Sequence, residues 1–408
     1  MRKITTVFII IIFVLSACRK DDGEDESRLT PNYQSELQEL VNEKWAEFVE
    51  DRADIPGGFA LKILTPDGNY FVSTEGMGDI TQSTHFRAAS VTKTFTAAAI
   101  VLLHQQQKLN IYDVITDYIP GSTEPYLPNN EEFNIPFKGT ITIQQLLQHR
   151  AGVFDIINQN IPDSVDQPYA GMRWVDYIEE DTGDPFHTFT ITEMANVVSE
   201  NQLYNNIPGA NFHYSNTGMS LLTLIVERIT GTRFDLFVKD NFLTPLGLHN
   251  TSMPNLGDDV KIPSPFAEGY AYIDGETINV TEENVSMSVG EGNLITTPDD
   301  LSIWISKLYS GNAGIDYKFV RFLMMDCLPT YELHQYYGLG TTYTPGLGYG
   351  HNGGKIGFFT STRYDPETKV TYVIYTNVWD FDAFAFDVFT QLTNMYGVAY
   401  AATDIVKR

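Results

Sequence analysis

Three short groups of residues in this 408-residue chain combine side chains that can attack a carbonyl or transfer a proton. Ser90 and Lys93 form its single Ser-x-x-Lys sequence, at the start of the apolar run "SVTKTFTAAAIVLL". Positions three apart on a helix share a face, so the lysine amine would lie beside the serine hydroxyl. A desolvated lysine at a helix start can lose its proton near neutral pH and then deprotonate the serine. Alone the pattern is weak, because a serine helix cap followed by a solvated lysine looks the same.

A second group, Tyr214 with Asn216, comes directly before the apolar run "TGMSLLTLIVERITG". A tyrosine and an amide two residues apart in a turn can both face a cleft, where the phenol relays a proton and the amide bonds a substrate. Tyr-x-Asn also begins at Tyr204, in an irregular loop, and at Tyr375, at a strand end, so the context favours Tyr214. In the alternative reading the tyrosine packs on the core and Asn216 caps the helix.

A third group, His351-Asn352-Gly353-Gly354, lies in "GLGYGHNGGKIGFF" just before a strand and holds the only His-x-Gly of the chain. Glycines there allow a ligand to approach the backbone, and a backbone N–H could point at an oxyanion. A plain glycine turn is the structural alternative. A phosphate loop is a poor alternative, because neither Lys-Ser/Thr nor a helix follows the glycines.

Together and in this order, the three groups resemble the serine β-lactamase and penicillin-binding-protein superfamily. The most similar branch holds class C β-lactamases and D-alanyl-D-alanine carboxypeptidases that carry Tyr-x-Asn and a histidine in place of the lysine of Lys-Thr-Gly. The segments "ITIQQLLQHRAGV", "FLTPLGLHNTSM" and "GNLITTPDDLSIWISKLYSG" also look like segments of that family. The resemblance covers about residues 40–395.

The resemblance implies a two-step acyl transfer with water or an amine as the second acceptor. Ser90 would be the nucleophile that is acylated, and Lys93 its base, alone or together with Tyr214. Tyr214 would also pass a proton to the leaving group. The oxyanion hole would be the backbone N–H groups of Ser90 and Gly354.

The resemblance also implies substrate-binding residues, with two departures from the family pattern. Asn216 would bond the substrate's amide, His351 would support the catalytic tyrosine by charge or hydrogen bonding, and Asn352 and Gly353 would complete the third motif. Asn352 stands where Thr or Ser is usual. Glu291 stands where small residues are usual; a solvated loop glutamate is the expected reading, and a glutamate in the cleft would favour a neutral or cationic leaving group.

The expected substrates are small molecules or peptides: D-amino-acid peptides of the peptidoglycan type, β-lactams or esters, with no cofactor and no metal. Residues 337–349 contain no Arg or Lys, where a strict D-Ala-D-Ala carboxypeptidase would need a cation for the terminal carboxylate. Two other hypotheses are a carboxylesterase of the same fold and a non-catalytic surface binding lipoprotein. The intact Ser90, Lys93 and Tyr214 argue against loss of activity.

The first residues predict export and a lipid anchor. Arg2 and Lys3 precede an apolar run, too short to span a membrane, that ends in Leu-Ser-Ala-Cys18. This tetrad resembles the bacterial lipoprotein box, so we expect a signal peptide over 1–17 and lipidation of Cys18. The alternative is a plain secretory signal. The polar, acidic residues 18–35 would form a tether to the cell envelope, with the protein lipid-anchored to a membrane, and exposure at the cell surface is one of the expected locations.

Charge and cysteine content narrow the function further. The net charge is −26, and loss of residues 1–17, which hold two basic residues and no acid, would leave −28. Such a chain repels nucleic acid, so we expect no nucleic-acid partner. The chain has two cysteines. If Cys18 is acylated, Cys327 has no partner for a disulfide, and its apolar, helical-looking surroundings predict a buried free thiol.

The predicted fold is α+β, of the β-lactamase/transpeptidase-like type, in one domain over 36–400. An amphipathic helix begins the domain. Two hairpins, one around the turn "TPDG" and one around "PET", lie near opposite ends of the chain. We therefore expect an antiparallel sheet built from about 55–76 and 345–378, flanked by helices. A mainly helical subdomain, about 94–340, would be inserted, and a last helix would cover about 381–396.

Overall fold

The computed structural model describes residues 33–50, 55–330, 335–382 and 388–408. The predicted signal peptide over 1–17, Cys18 and most of the tether lie outside the described residues. The first helix begins at Tyr33, so residues 33–35, which we had assigned to the tether, are helical.

The described residues form eleven α-helices and thirteen strands. The helices are α1 (Tyr33–Phe48), α2 (Thr92–Gln105), α3 (Ile143–Leu147), α4 (Trp174–Thr182), α5 (Ile191–Glu200), α6 (Asn216–Thr230), α7 (Phe234–Val238), α8 (Thr244–Leu246), α9 (Pro298–Tyr309), α10 (Tyr317–Met324) and α11 (Val388–Val406). The strands are β1 (Phe59–Leu64), β2 (Asn69–Ser73), β3 (Phe86–Ala89), β4 (Tyr270–Ile273), β5 (Glu276–Asn279), β6 (Leu294–Thr296), β7 (Leu328–Pro329), β8 (Tyr336–Tyr337), β9 (Thr342–Thr344), β10 (Gly348–Lys355), β11 (Phe358–Tyr364), β12 (Thr371–Thr376) and β13 (Val378–Asp380).

The main sheet joins the two ends of the domain. Its order is β2-β1-β12-β11-β10-β9-β8-β7, and each neighbouring pair is antiparallel. Both predicted hairpins are present, and they meet where β1 pairs with β12. This confirms the α+β fold with a sheet from both chain ends. The sheet is wider than predicted, because β7 and β8 lie in the segment that we had assigned to the helical subdomain and β9 lies between that segment and the predicted sheet residues.

Helices cover both faces of the main sheet. On one face α1 and α11 bury Leu37, Val41 and Val398 together with Phe359 and Ile374 of the sheet. On the other face lies α2, whose residues from Thr92 to Leu103 are all buried. A helix that is buried on every side belongs to the interior of the domain, and its N-terminus can therefore hold a side chain away from bulk water.

A small two-stranded sheet, β3 paired with β6, leads into α2. Phe86 of β3 stacks on Tyr375 of the main sheet, with ring centroids 4.1 Å apart. Phe95, one turn into α2, stacks on Trp304 of α9 at 3.9 Å. These contacts fix the turn between β3 and α2 against the sheet.

Two further expectations are wrong in detail. The last helix reaches Val406, ten residues beyond its predicted end, and buries Val398, Ala399 and Ala402 in the core. Cys327 is unpaired but only partly buried, because α10 ends at Met324 and the chain leaves the core there. Among the described residues, no helix is both long and apolar enough to cross a membrane.

Candidate active site

A strained turn presents Ser90. Ala89, the residue before it, has a φ of +47°, in the left-handed region that costs a residue with a Cβ about 1–2 kcal/mol. The pairing of β3 with β6 shifts register at the same place, between Arg87 and Ala89. The backbone therefore turns sharply and leaves Ser90 partly exposed, one residue before the α2 cap at Val91. A partly exposed hydroxyl on a rigid turn is what an attacking nucleophile needs.

Lys93 lies one helical turn further on and is fully buried. Its Nζ is 3.0 Å from Ser90 Oγ, which places the amine beside the hydroxyl as the spacing predicts. The same Nζ donates to the backbone oxygen of Glu291 at 2.8 Å and to its carboxylate Oε2 at 2.9 Å. The solvated lysine of the alternative reading is therefore excluded.

Glu291 is buried in the site and does not extend into solvent as expected. The loop that carries it is fixed to α2 at two places. Thr96 Oγ1 donates to the oxygen of Gly290, and the N–H of Leu294 donates to Thr92 Oγ1 at 3.0 Å. Gly290 has a φ of +75°, and a Cβ there would lie 1.9 Å from Thr223 Oγ1, so the position requires glycine.

The contact with Glu291 reverses the expected charge state of Lys93. Burial alone acts to lower the pKa of Lys93, but the charges of Glu291 and Tyr214 and its hydrogen bonds to both outweigh burial, and the pKa lies above its usual value. We had expected desolvation to bring this pKa toward neutrality. At neutral pH the lysine is an ammonium paired with a carboxylate.

Tyr214 comes to the same place from the start of α6. Burial raises the pKa of its phenol, although the neighbouring Lys93 and hydrogen bonds to Lys93 and Ser90 act to lower it. The ammonium of Lys93 lies 4.8 Å from the centroid of the tyrosine ring. Tyr214 is therefore a neutral phenol at pH 7, within hydrogen-bond reach of both groups.

Asn216 is free to act as a ligand, because a different residue caps the helix. Ser215 is the cap of α6, and its hydroxyl accepts from the N–H of Gly218 at 3.1 Å. The amide nitrogen of Asn216 lies 3.4 Å from Asp155 Oδ2, and its buried Oδ1 has no hydrogen-bond partner among the described residues. An unpaired buried acceptor is costly unless a ligand or water satisfies it, which agrees with the predicted contact to a substrate amide.

Asp155 is a site residue that the sequence did not single out. Its side chain is 3% exposed, and burial together with the charge of Glu291 raises the pKa of its carboxyl to about 7. It follows His149 by six positions in a long loop, and nothing in its neighbours distinguishes it from the other acids of that loop.

His351 lies on β10 itself and is held by a chain of hydrogen bonds. The N–H of Ser215 donates to His149 Nδ1 at 3.2 Å, and His149 Nε2 is 3.0 Å from the hydroxyl of Tyr337. That hydroxyl is 2.8 Å from His351 Nε2, and His351 Nδ1 donates to the oxygen of Asn352. Because His149 Nδ1 accepts, its proton must be on Nε2, so Tyr337 in turn donates to His351.

The imidazoles of His149 and His351 are both neutral. Burial and the charge of Lys93 lower the pKa of His351 to about 3, and the same two causes lower the pKa of His149 well below its usual value. We had expected His351 to support Tyr214 by charge or by hydrogen bonding. Support by charge is wrong, because the imidazole is neutral. His149 therefore acts as a structural hydrogen-bonder, and Tyr337 is a residue of the site that sequence reasoning had missed.

The other residues of the third motif lie on β10, and their side chains alternate between the two faces of the main sheet. Successive strand residues point to opposite faces. The side chain of Asn352 therefore points away from His351, and its Nδ2 donates to Tyr396 of α11 at 2.6 Å. Gly353 lies against the turn before the nucleophile, where a Cβ would be 2.1 Å from the oxygen of Ala88. The substrate-binding role of Asn352 stays a prediction, as does the oxyanion role of the Ser90 and Gly354 N–H groups.

Replacing Gly353 with alanine should lower the rate of acylation of Ser90 about 10²-fold, because the new methyl group must push the Ala88–Ser90 turn away from β10. Gly139→Ala serves as the control for adding a methyl group at a glycine, since its backbone is not left-handed and a Cβ there would meet no atom of the described residues within 4 Å beyond its chain neighbours. Burst kinetics with an activated ester measure the acylation rate of each variant. Equal rates for the two variants would contradict the prediction.

The described residues contain no group of three or more His, Cys, Asp or Glu side chains arranged to hold a metal ion. The side chains of the site offer a serine hydroxyl, an ammonium–carboxylate pair, a neutral phenol, the amide of Asn216 and the carboxyl of Asp155. This set suits acyl transfer through a serine nucleophile.

Comparisons with known proteins give the family of the chain. The model of the Beta-lactamase family matches residues 45–392. Protein flp of Staphylococcus aureus (strain N315) is 25% identical over 286 residues, which cover 68% of this chain and 49% of that protein. The probable hydrolase M10 of Phoma sp. is 29% identical over 196 residues, 44% of this chain and 30% of that protein. The match to flp thus spans about half of its length.

Solved structures share the fold. The D-amino acid amidase from Ochrobactrum anthropi SV3, in complex with D-phenylalanine, has a TM-score of 0.70 at 20% identity, covering 91% of this chain and 99% of that chain. The penicillin-binding protein from Bacillus halodurans has a TM-score of 0.63 at 20% identity, covering 84% and 94%. At these identities the likeness shows the fold alone. The family model, which covers most of the chain, shows that this protein belongs to the beta-lactamase family.

Proposed function

We propose that the protein is a serine hydrolase that forms an acyl-enzyme on Ser90 and acts best on amides, peptides or esters without a carboxylate near the scissile bond. The observation that carries the proposal is the charge of the site. Lys93 is neutralised by Glu291, and His351, which stands in place of the third-motif lysine, is neutral. Neither position offers a free cation to a substrate carboxylate.

The reaction begins when Ser90 Oγ attacks the substrate carbonyl. The Oγ proton leaves through Lys93, whose Nζ lies 3.0 Å away and must first give up one of its own protons, and the carbonyl oxygen takes up negative charge beside the N–H groups of Ser90 and Gly354. Tyr214 passes a proton to the leaving nitrogen or oxygen as the carbonyl re-forms. Water then repeats the sequence on the acyl-enzyme and regenerates the serine.

Amides of D-amino acids are the first substrates to test. The amidase of Ochrobactrum anthropi shares the fold, and its structure holds D-phenylalanine. A D-amino-acid amide has a neutral carboxamide as its scissile group and ammonia as its leaving group, which fits a site without a free cation. An ester of the same acid fits for the same reason, so a carboxylesterase is the second candidate.

The test is labelling of the full-length protein with two probes, p-nitrophenyl acetate and a fluorescent penicillin. We expect a burst of p-nitrophenol and an adduct on Ser90 by mass spectrometry, both absent in Ser90→Ala. If neither probe yields an adduct, the enzyme reading fails and a non-catalytic binding protein takes its place.

A substrate panel then ranks the activities. We expect kcat/KM for D-phenylalanine amide to exceed that for a D-Ala-D-Ala peptide and for a chromogenic cephalosporin by about tenfold or more, the worth of about one charged hydrogen bond. The reverse order would show that a carboxylate is recognised after all. We also propose export and a lipid anchor at Cys18, for which the sequence of residues 2–18 is the support.

A further inference from the structure

The resting site holds no free base next to the nucleophile, which raises the question of where the serine proton goes. Lys93 is an ammonium in its pair with Glu291. Tyr214 is a neutral phenol whose pKa burial raises. Both nitrogens of His351 are engaged, one by Tyr337 and one by the oxygen of Asn352.

The side chain of Glu291 is connected to Ser90 through a single residue, Lys93. Glu291 Oε2 is 2.9 Å from Lys93 Nζ, which is itself 3.0 Å from Ser90 Oγ. The carboxylate is 4% exposed and the lysine side chain 0%, so water does not compete for either. The backbone oxygen of Glu291 accepts a second N–H of the ammonium, which fixes the amine between the two side chains.

We propose that Glu291 acts through Lys93 as a positioning residue that stores a proton, so that Ser90, Lys93 and Glu291 work as one relay. The proposal rests on the proposed function, since it concerns how that acyl transfer starts. If the ion pair between Lys93 and Glu291 were only structural, the lysine would stay charged and could not accept the serine proton. In the relay the same contact lets Lys93 become neutral.

The relay moves one proton from Ser90 to the leaving group and a second proton from Lys93 to Glu291 and back. Lys93 passes one proton to Glu291 Oε2, and rotation of the amine turns its lone pair toward Ser90. As the Oγ–C bond forms, the Oγ–H bond breaks, its proton goes to Nζ, and the carbonyl electron pair moves to the oxygen. When the leaving group departs, the proton on Lys93 reaches it through the hydroxyl of Tyr214. Glu291 then returns its stored proton to Lys93.

The test is the pH profile of acylation in Glu291→Gln, which keeps the shape of the side chain and cannot store the proton. We expect acylation of the full-length variant by p-nitrophenyl acetate to be about 10²-fold slower than wild type at pH 7. The variant rate should rise with pH until Lys93 is neutral, because only neutral Lys93 can then act, and loss of the Glu291 charge lowers the pKa at which this happens. Asp155 has a pKa of about 7 in the same site, so the readout is the ratio of the variant rate to the wild-type rate, which should rise between pH 6 and 8.

Two further variants separate the relay from a structural role. Asp300→Asn neutralises another buried acid, a residue of α9 whose carboxylate accepts a hydrogen bond from Thr251. This variant should keep the wild-type pH profile of acylation. Glu291→Asp keeps a carboxylate, so its acylation rate should be lower than that of the wild type but should depend on pH in the same way. This variant also provides the test if the glutamine variant does not fold. Thermal melting reports folding in each case.

The outcomes that overturn the relay are clear. A Glu291→Gln rate within threefold of wild type at pH 7, or a rate lowered equally at every pH, would show that Glu291 stores no proton. If the wild-type protein and Ser90→Ala react alike with the probes, the proposed function fails. If Ser90 is acylated in the wild type and Glu291→Gln is acylated at the wild-type rate, the relay fails and the proposed function stands.

Discussion

Replacing Lys93 with methionine should lower the free energy of unfolding by about 3–5 kcal/mol and slow acylation of Ser90 by about 10³-fold. Methionine matches the length of the lysine but leaves the Glu291 carboxylate buried and without its cation. An unpaired charge in a buried site is among the costliest single changes in a protein. Urea unfolding and burst kinetics measure the two effects.

The double variant Lys93→Met with Glu291→Gln distinguishes the buried pair from the lysine itself. Removing both charges should restore most of the stability, because no unpaired charge remains, while acylation stays slow. A double variant as unstable as the single one would contradict the ion pair.

Lys62 offers a matched control within the same fold. It is also fully buried and pairs with a carboxylate at 2.8 Å, but its partner Asp299 is 35% exposed. Water can solvate Asp299 after the change, so Lys62→Met should cost less than Lys93→Met. It should leave acylation close to the wild-type rate, since Lys62 contacts Gln82 and Asp299 and not the site.

The groups that meet in the candidate site could be predicted from sequence because each lies in a local pattern. Ser90 and Lys93 are one helical turn apart, and Tyr214 precedes a strongly apolar helix. The two hairpins that frame the sheet are equally local, since a turn and two flanking strands define each of them. The resemblance to a family supplied the order of these groups, and the structure brings Ser90, Lys93, Tyr214 and Asn216 together.

The charge state of the site could not be predicted, because it depends on contacts between distant parts of the chain. A buried lysine needs a counter-charge, but 52 acidic residues could supply it, and Glu291 is 198 positions away. His351 is neutral because it is buried beside the charge of Lys93, which is 258 positions away in the sequence. Neither contact leaves a signal in spacing or composition, so the lysine pKa was predicted in the wrong direction.

A second large effect is expected at Asp155. In Asp155→Asn the stability advantage over wild type should grow by about 3 kcal/mol between pH 5 and pH 8. Burial raises the pKa of this carboxyl to about 7 in the folded protein, against about 3.9 in an unfolded chain. Between these values the folded state binds a proton that the unfolded state has lost. Wild-type stability therefore falls as pH rises, by about 1.4 kcal/mol per unit, until both states are ionised.

Thermal and urea unfolding at the two pH values test this sign. Asparagine does not ionise, so the variant lacks this loss, whereas other groups titrate alike in both proteins and cancel in the comparison. Asp166→Asn, an exposed acid of the same loop, controls for removing one negative charge from a strongly acidic protein. An equal gap at pH 5 and pH 8 would mean that Asp155 ionises without cost. The cleft beside Asn216 would then be wet, and the unpaired oxygen of Asn216 would be satisfied by solvent in place of a substrate.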